Sequence, residues 1–470
     1  MESVKTEIIC KEMLDNLNEQ IVKRWYPFVI DNEFGGYFSN ITYDWKIVGP
    51  YDKTIVSQAR HVWTLSKIAS FLNNGDEYIK SAYHGYDFIK NKMWDAEYGG
   101  FFQTRSREGG YSTFNGWNDE KRTYGNAFGV YALASLYHLT TDEEVLDLAK
   151  KVFYWIEKNT YDHKYKGYFQ FLLRNGNPFG KESEYKSESS DKSEVGLKDQ
   201  NSSIHLLEAY TELYNVWKDD YLKKQLKSLL QLIRDTITTD RGYLQLFFYE
   251  DWTPVSFKDT DDKTRRENYG LDHVSFGHDY ETAFLMLEAA YSLKEDDNTK
   301  TLFCAKKMMD HAIKFGFDSE SGGFYDGGYY YEGDDNCTII KETKNWWAQA
   351  EGLNALLIFS KIFPDEHIYY QTFLRQWDYV KKYILDYENG DWFEGGLDKE
   401  PHLKNGPKSH IWKCTYHTSR ALMNCISILA KENFDSEKLG EGFKNIKEDW
   451  DTFINYWKRK AVLKNGVYTA

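Results

Sequence analysis

DAEYGGFF, residues 95–102, decides the fold because the chain repeats it. Versions of the phrase stand at 31–38 (DNEFGGYF), 162–169 (DHKYKGYF), 318–325 (DSESGGFY) and 386–393 (DYENGDWF), with a weaker copy, DRGYLQ, at 240–245. Their last glycines, Gly36, Gly100, Gly167, Gly242, Gly323 and Gly390, are 64, 67, 75, 81 and 67 residues apart. Self-similarity at such a period marks a repeat architecture. Each interval is too long for one helix and suits two helices with their connections. The glycine supplies positive φ for a tight turn, and the aromatic alternation after it suits a short hairpin.

Between the phrases, apolar residues recur every three or four positions, over 56–71, 127–137, 204–216, 282–293, 346–363 and 421–429. A second helical stretch follows most of them, as at 143–158 and 221–237. The pattern predicts an all-α chain: an (α/α)6 barrel of six helical hairpin repeats with short β-hairpins at the connections. A helical solenoid is the alternative, but six repeats suffice to close a ring, which leaves no exposed end face. With only 7 scattered prolines, no proline-rich linker divides the chain, and residues 1–470 are expected to form a single catalytic domain.

A hydrophobic content of 41% supports a substantial core. The net charge of −14 argues against nucleic acid as a partner, since phosphate binding needs a basic face. A neutral sugar is compatible with that charge, whereas an anionic substrate would require a local basic cluster. The first 26 residues are charged throughout and do not read as a signal peptide, and no run is long and apolar enough to span a membrane. Cys10, Cys304, Cys337, Cys414 and Cys425 are widely spaced without a CxxC, which argues against a disulfide framework or zinc site and for a reducing cytoplasm. Aromatic residues reach 17%, enough both for packing between helices and for stacking surfaces against sugar rings.

Moving forward from each marker glycine to the next helix start finds an unusual polar or aromatic side chain. The step is 24 residues to Arg60, Tyr124 and Trp347, 27 to His417, 38 to His205 and 36 to His278. Equivalent places in successive repeats ring one mouth of a barrel, so these six are expected to converge on one pocket. There the first turns of the helices favour negative charge, which suits a reaction through an oxyanion. Several have partners one turn on: Glu208 for His205, Glu281 for His278, Arg420 for His417 and Glu351 for Trp347. A carboxylate beside a histidine fixes its tautomer and raises its basicity. Three histidines also raise the question of a zinc site, but no HExxH or paired spacing supports one and no metal is expected.

These residues sit in segments that resemble the N-acylglucosamine 2-epimerase superfamily, which includes cellobiose 2-epimerases and mannose isomerases. The resemblance runs from about residue 53 to 420 through SQARHVW (57–63), KRTYGNAF (121–128), NSSIHLLEAYTELY (201–214), SFGHDYETAFLMLEAA (275–290), KNWWAQAEGLNALL (344–357) and WKCTYHTSR (412–420). It implies an (α/α)6 barrel working without a cofactor on a small sugar, with Arg60, His278, Glu281 and His417 at the catalytic positions. Tyr124, Asn201, His205, Glu351 and Arg420 fall where sugar is bound or oriented, and Trp347 with neighbouring aromatics is expected to stack a second sugar ring. In the implied reaction, His278 and His417 exchange a proton at C2 of an opened aldose, Glu281 holds His278, and Arg60 stabilises the enediolate. Delivery of the proton to C1 would give aldose–ketose isomerisation from the same site.

GHDYE, with Asp279 after the histidine, is similar to the cellobiose-epimerase branch and favours a β-1,4 disaccharide with an unmodified reducing end. Free mannose or glucose, or an N-acylated sugar, are the alternatives. Thr415 and Thr418 depart from the Pro and Asn frequent in the family, and segments 173–198 and 249–268 are extra length expected near the pocket mouth. An (α/α)6 glycoside hydrolase built on Glu281 and Glu351, and a sugar-binding protein without activity, are the competing classes. A monomer or homodimer is expected.

Overall fold

The computed structural model describes residues 2–114, 118–180, 194–294, 298–432, 434 and 436–462. Six inner helices, Ile55–Phe71, Thr123–Thr140, Gln200–Val216, Phe276–Leu293, Trp346–Ile362 and Tyr416–Leu429, follow one another around a ring. Each touches the next, and the sixth touches the first, so the ring is closed and the chain is an (α/α)6 barrel. The inner helices are buried nearly all round, as barrel walls covered on both sides must be. The outer helices are amphipathic: Glu143–Asn159 buries Val145, Leu148, Val152 and Ile156 on one stripe.

In chain order each outer helix precedes its phrase and the next inner helix. The first outer helix is therefore Glu2–Asp15, which packs on the sixth inner helix and helps close the ring. The C-terminal helix, Phe443–Val462, lies across the far ends of the inner helices, with Phe443 against Phe71 and Phe453 against Tyr291. It seals the end of the barrel opposite the phrases. Among the described residues, no helix is long and apolar enough to cross a membrane.

The repeated phrase has a physical explanation. Its aspartate accepts two backbone N–H groups of the turn, as Asp95 Oδ1 does from Glu97 and Tyr98. Gly100 at φ +74° completes the turn, and a Cβ there would run into Trp155. The other aspartate oxygen is taken by a lysine: Lys53–Asp31, Lys121–Asp95, Lys198–Asp162, Lys344–Asp318 and Lys408–Asp386, at 2.6–2.9 Å. The first four of these lysines immediately precede an inner helix, so the buried pair locks each phrase to the helix that follows it. Among the described residues the weak fourth copy has no such pair; there Thr239 and Asp279 hold the turn.

Each phrase closes on itself through a single antiparallel bridge, such as Trp94 to Phe101. The two-residue strands do something the sequence reading did not anticipate: they join neighbouring repeats. Lys53–Thr54 pairs with Thr104–Arg105, and Lys121–Arg122 with Phe171–Leu172. A rim of short pairs thus ties successive connections together above the helix starts.

Candidate active site

The helix starts beneath this rim enclose a cavity of about 290 Å³. Arg60, Tyr124, Asn201, His205, His278, Glu281, Trp347 and His417 line it. The six positions picked out by repeat spacing do converge, but at two depths. Tyr124, Trp347 and His417 are the second residues of their helices and His278 the third, whereas Arg60 and His205 are the sixth. Arg60 and His205 therefore sit one turn deeper than the first turn expected for them, on the same helix face.

All three histidines are anchored through Nδ1. His417 Nδ1 lies 2.7 Å from Glu351 Oε1, His205 Nδ1 lies 2.9 Å from Glu208 Oε2, and His278 Nδ1 lies 2.7 Å from Ser275 Oγ. Each leaves Nε2 as its second ring nitrogen. The last of these contacts corrects the expectation that Glu281 holds His278: Glu281 accepts from Arg420, and Ser275 fills the orienting role. Burial drives the His278 pKa down to about 3 and that of His417 well below the usual histidine range, with the charges of Arg60 and Arg420 adding to the effect on His417. Both rings are neutral near pH 7 and able to accept a proton. The Trp347 ring lies beside both, with centroids 4.8 Å from His278 and 5.7 Å from His417.

Arg60 donates from Nη1 to the Trp412 carbonyl at 2.8 Å and from Nη2 to the Tyr124 hydroxyl at 2.9 Å. Its guanidinium is held between the rings of Phe128 and Tyr416, 4.4 and 5.0 Å away. Its Nε is buried without a hydrogen-bond partner among the described residues, as is Asn201 Oδ1 in the same wall. Buried polar atoms left unpaired beside a cavity are what a hydroxylated ligand would satisfy.

Glu351 and Arg420 do not line the cavity; they stand behind it. Arg420 donates from Nη2 to Glu281 and Glu351, both at 2.6 Å, and from Nη1 to Glu208. Burial alone would raise the Glu208 pKa, yet Arg420 and His205 hold it down at about 2. For Glu351 burial dominates and its pKa lies well above the usual carboxylate range. Glu281, Glu351 and His417 bring potential metal-ligand atoms within 4.8 Å of one another, but the Arg420 guanidinium already places its positive charge among them. The two carboxylates proposed for a hydrolase also share this arginine, so they do not flank opposite sides of a scissile bond.

Sequence reasoning missed several lining residues: Arg122, Gln170, Glu194, Trp346 and Trp412. Signals existed for four of them. Trp412, Trp346 and Arg122 lie inside the quoted motifs, and Gln170 follows a phrase at the place Gln103 and Gln245 take in theirs. Glu194 comes from the first extra segment, 173–198, which does reach the cavity; its residues 181–193 lie outside the described residues. No described residue of the second segment, 249–268, lines it. That segment packs instead on the fourth connection, where Phe257 N–H donates to Asp272. Thr415 and Thr418 leave the helix start intact: Thr418 Oγ1 donates to the Thr415 carbonyl, and the Thr415 hydroxyl meets that of Tyr26.

Asp279 does not line the cavity. It is fully buried, faces away from the cavity and accepts the Leu244 N–H at 2.8 Å. Asn126 does the same for Phe101, Gln349 for Phe324 and Gln58 for Tyr37. The position is part of the repeat.

Comparison with known proteins places this chain among sugar epimerases and isomerases. The family model for N-acylglucosamine 2-epimerase matches residues 36–421. A cellobiose 2-epimerase of Bacteroides fragilis is 29% identical over 431 residues, 90% of this chain and 100% of its own. One from Ruminococcus albus is 31% identical, covering 89% of this chain and 99% of its own. A D-mannose isomerase of Marinomonas mediterranea is 25% identical over 89% of this chain and 98% of its own. The structure of cellobiose 2-epimerase from Bacillus thermoamylovorans superposes with a TM-score of 0.75 at 25% identity, over 89% of this chain and 99% of that one.

Proposed function

The chain belongs to the N-acylglucosamine 2-epimerase family, and from that premise we propose that it inverts C2 of a reducing-end aldose by proton exchange between His278 and His417. The observation that carries the reading is the pair of neutral histidines, each tied through Nδ1, beside Trp347 in the cavity that holds Arg60. With Nδ1 of His417 donating to Glu351, Nε2 is its basic nitrogen; Ser275 Oγ holds the His278 ring at Nδ1, and when Nδ1–H donates to that hydroxyl Nε2 is again the base. A sugar opened to its aldehyde and seated between the two rings loses its C2 proton to one Nε2. The electron pair moves onto O1, giving an enediolate. Arg60 and the Tyr124 hydroxyl are the donors for that charge, preorganised by their mutual bond and by the Trp412 carbonyl. Nε2 of the other histidine, having taken up a proton from solvent, delivers it to the opposite face of C2 to complete inversion, and the first histidine gives its proton back to solvent.

Cellobiose is the first substrate to test, because the relatives with the highest identity reported above are cellobiose 2-epimerases. The D-mannose isomerase relative favours a second reading in which the same intermediate is protonated at C1 to give a ketose. Incubation with cellobiose, mannose, glucose and N-acetylglucosamine in D2O, followed by proton NMR, tests both. The expected product is the C2 epimer of one sugar, with deuterium at C2. A ketose with deuterium at C1 selects the second reading, and cleavage of cellobiose with the C2 proton retained overturns both.

A further inference from the structure

We infer that His410, outside the cavity, is a positioning residue for Arg60, acting through the turn that presents the Trp412 carbonyl. This rests on the proposed proton exchange only for its kinetic consequence. Among the described residues Arg60 takes one of its two side-chain hydrogen bonds from that carbonyl, at 2.8 Å, so the aim of the guanidinium depends on where the turn 410–413 sits. No inner helix fixes this turn, because the sixth begins at Tyr416. His410 does. Its Nδ1 lies 3.1 Å from the Trp412 N–H and 3.3 Å from the Lys413 N–H, so it accepts from both. Its Nε2 lies 2.9 Å from Glu394 Oε1. The ring packs edge-on against Trp346, 5.9 Å between centroids, and Trp346 donates its own backbone N–H to the Glu394 carbonyl. His410 thus links the fifth inner helix start to the loop that precedes the sixth.

Two converging N–H donors admit only a bare nitrogen at Nδ1, and Glu394 then requires the proton on Nε2. The geometry assigns His410 to the neutral Nε2–H tautomer. His410 lies outside the repeat register that marks the cavity residues. Its influence is one residue removed: it touches neither the cavity nor Arg60, but shapes the backbone that does.

The side-chain chemistry supplies a discriminating test. Asparagine offers an acceptor where Nδ1 stands, and glutamine offers a donor where Nε2 stands. His410→Asn therefore keeps the turn and loses Glu394, while His410→Gln keeps Glu394 and loses the turn. Wild type, both variants and His410→Ala are compared for kcat and KM with the sugar turned over in the D2O assay. In His410→Gln and His410→Ala, kcat is expected to fall at least tenfold with KM within threefold. His410→Asn is expected to keep kcat within threefold. Nitrogen-15 NMR of the wild-type histidines reads the tautomer whatever the substrate, with expected signals for one ring protonated at Nε2 whose Nδ1 accepts hydrogen bonds. An unchanged kcat in His410→Ala, equal losses in the Asn and Gln variants, or an Nδ1–H tautomer overturns the inference. If the wild type exchanges no sugar proton, the proposed reaction fails by itself, and the NMR result still decides the state of His410.

Discussion

Arg420 and His417 share one oxygen. Oε1 of Glu351 accepts from Arg420 Nη2 at 2.6 Å and from His417 Nδ1 at 2.7 Å, so the base and the buried cation are tied to the same atom. Arg420 also holds Glu208, which orients His205, and Glu281 in the cavity wall. One guanidinium therefore sets three carboxylates from three helices, and through two of them it sets two histidines. Replacing it by Met leaves those carboxylates buried around an apolar side chain. Breaking a buried ion pair from one side costs about 3–5 kcal/mol. Arg420→Met is expected to lose at least that much in denaturant unfolding and to show no measurable turnover. A variant that unfolds within about 1 kcal/mol of wild type would show that the carboxylates do not depend on Arg420.

If His278 and His417 serve opposite faces of C2, removing either one blocks inversion without abolishing every proton transfer. His278→Ala and His417→Ala are each expected to lose roughly 10²–10⁴-fold in epimerisation. In D2O, however, each variant is expected to exchange the C2 proton of one epimer only, and the two variants are expected to choose different epimers. Proton NMR of the recovered sugars reads this directly. Loss of exchange from both epimers in one variant would mean that a single histidine performs both transfers.

Proton acceptance requires neutral rings, and burial lowers the pKa of His278 to about 3 and that of His417 well below its ordinary value. The acid limb of kcat/KM, which reports the free enzyme, is therefore expected well below pH 6.5. Turnover at pH 5 should stay within about twofold of that at pH 7. Folding stability moves in the opposite sense to this tolerance. A histidine with a depressed folded pKa stabilises the protein fully above the unfolded value near 6.5 and loses that contribution as pH falls towards the folded value. His61 and His273, both lowered to about 3 by burial, add to the same window. Melting temperature is expected to fall steadily from pH 6.5 to 4 while activity holds. An acid limb near 6.5 would place at least one essential ring in water.

The ring of six was legible because a repeated phrase carries its own register. Counting from a glycine that must turn the chain leads to the helix start, and side chains that share a register share a barrel mouth. Depth was not legible. Arg60 and Tyr124 stand at equal distance from their glycines, yet the first connection reaches its helix four residues sooner, which places Arg60 one turn further in. Partners across the barrel were also out of reach. The i+3 rule found Glu208 for His205, which share a helix, but gave Glu281 to His278, where Ser275 at i−3 fills the role. It gave Arg420 to His417, where a carboxylate from the fifth helix does the holding. Local spacing reports contacts along one helix; contacts across the axis depend on closure, which no window of sequence contains.

Asp279 separates a structural acid from a catalytic one. It accepts the Leu244 N–H with Oδ1, while Oδ2 is buried without a partner among the described residues, and burial raises its pKa well above the carboxylate range. Asn126, at the same place in the second repeat, does this work with no charge to suppress. An acid whose folded pKa is raised contributes its full stability below the unfolded pKa of about 3.9 and loses it as pH rises towards the folded value. Asp279→Asn removes that loss. The variant is expected to equal wild type near pH 4 and to become more stable as pH rises, by up to about 1.4 kcal/mol per pH unit. Its kcat should remain within about twofold, since Asp279 faces away from the cavity. Asp279→Ala, which abandons the Leu244 N–H, is expected to cost about 1–3 kcal/mol. Unfolding of all three proteins at pH 4, 5.5 and 7 is the check. A stability difference between Asp279→Asn and wild type that stays constant with pH would mean that the buried carboxyl is ionised in the folded protein.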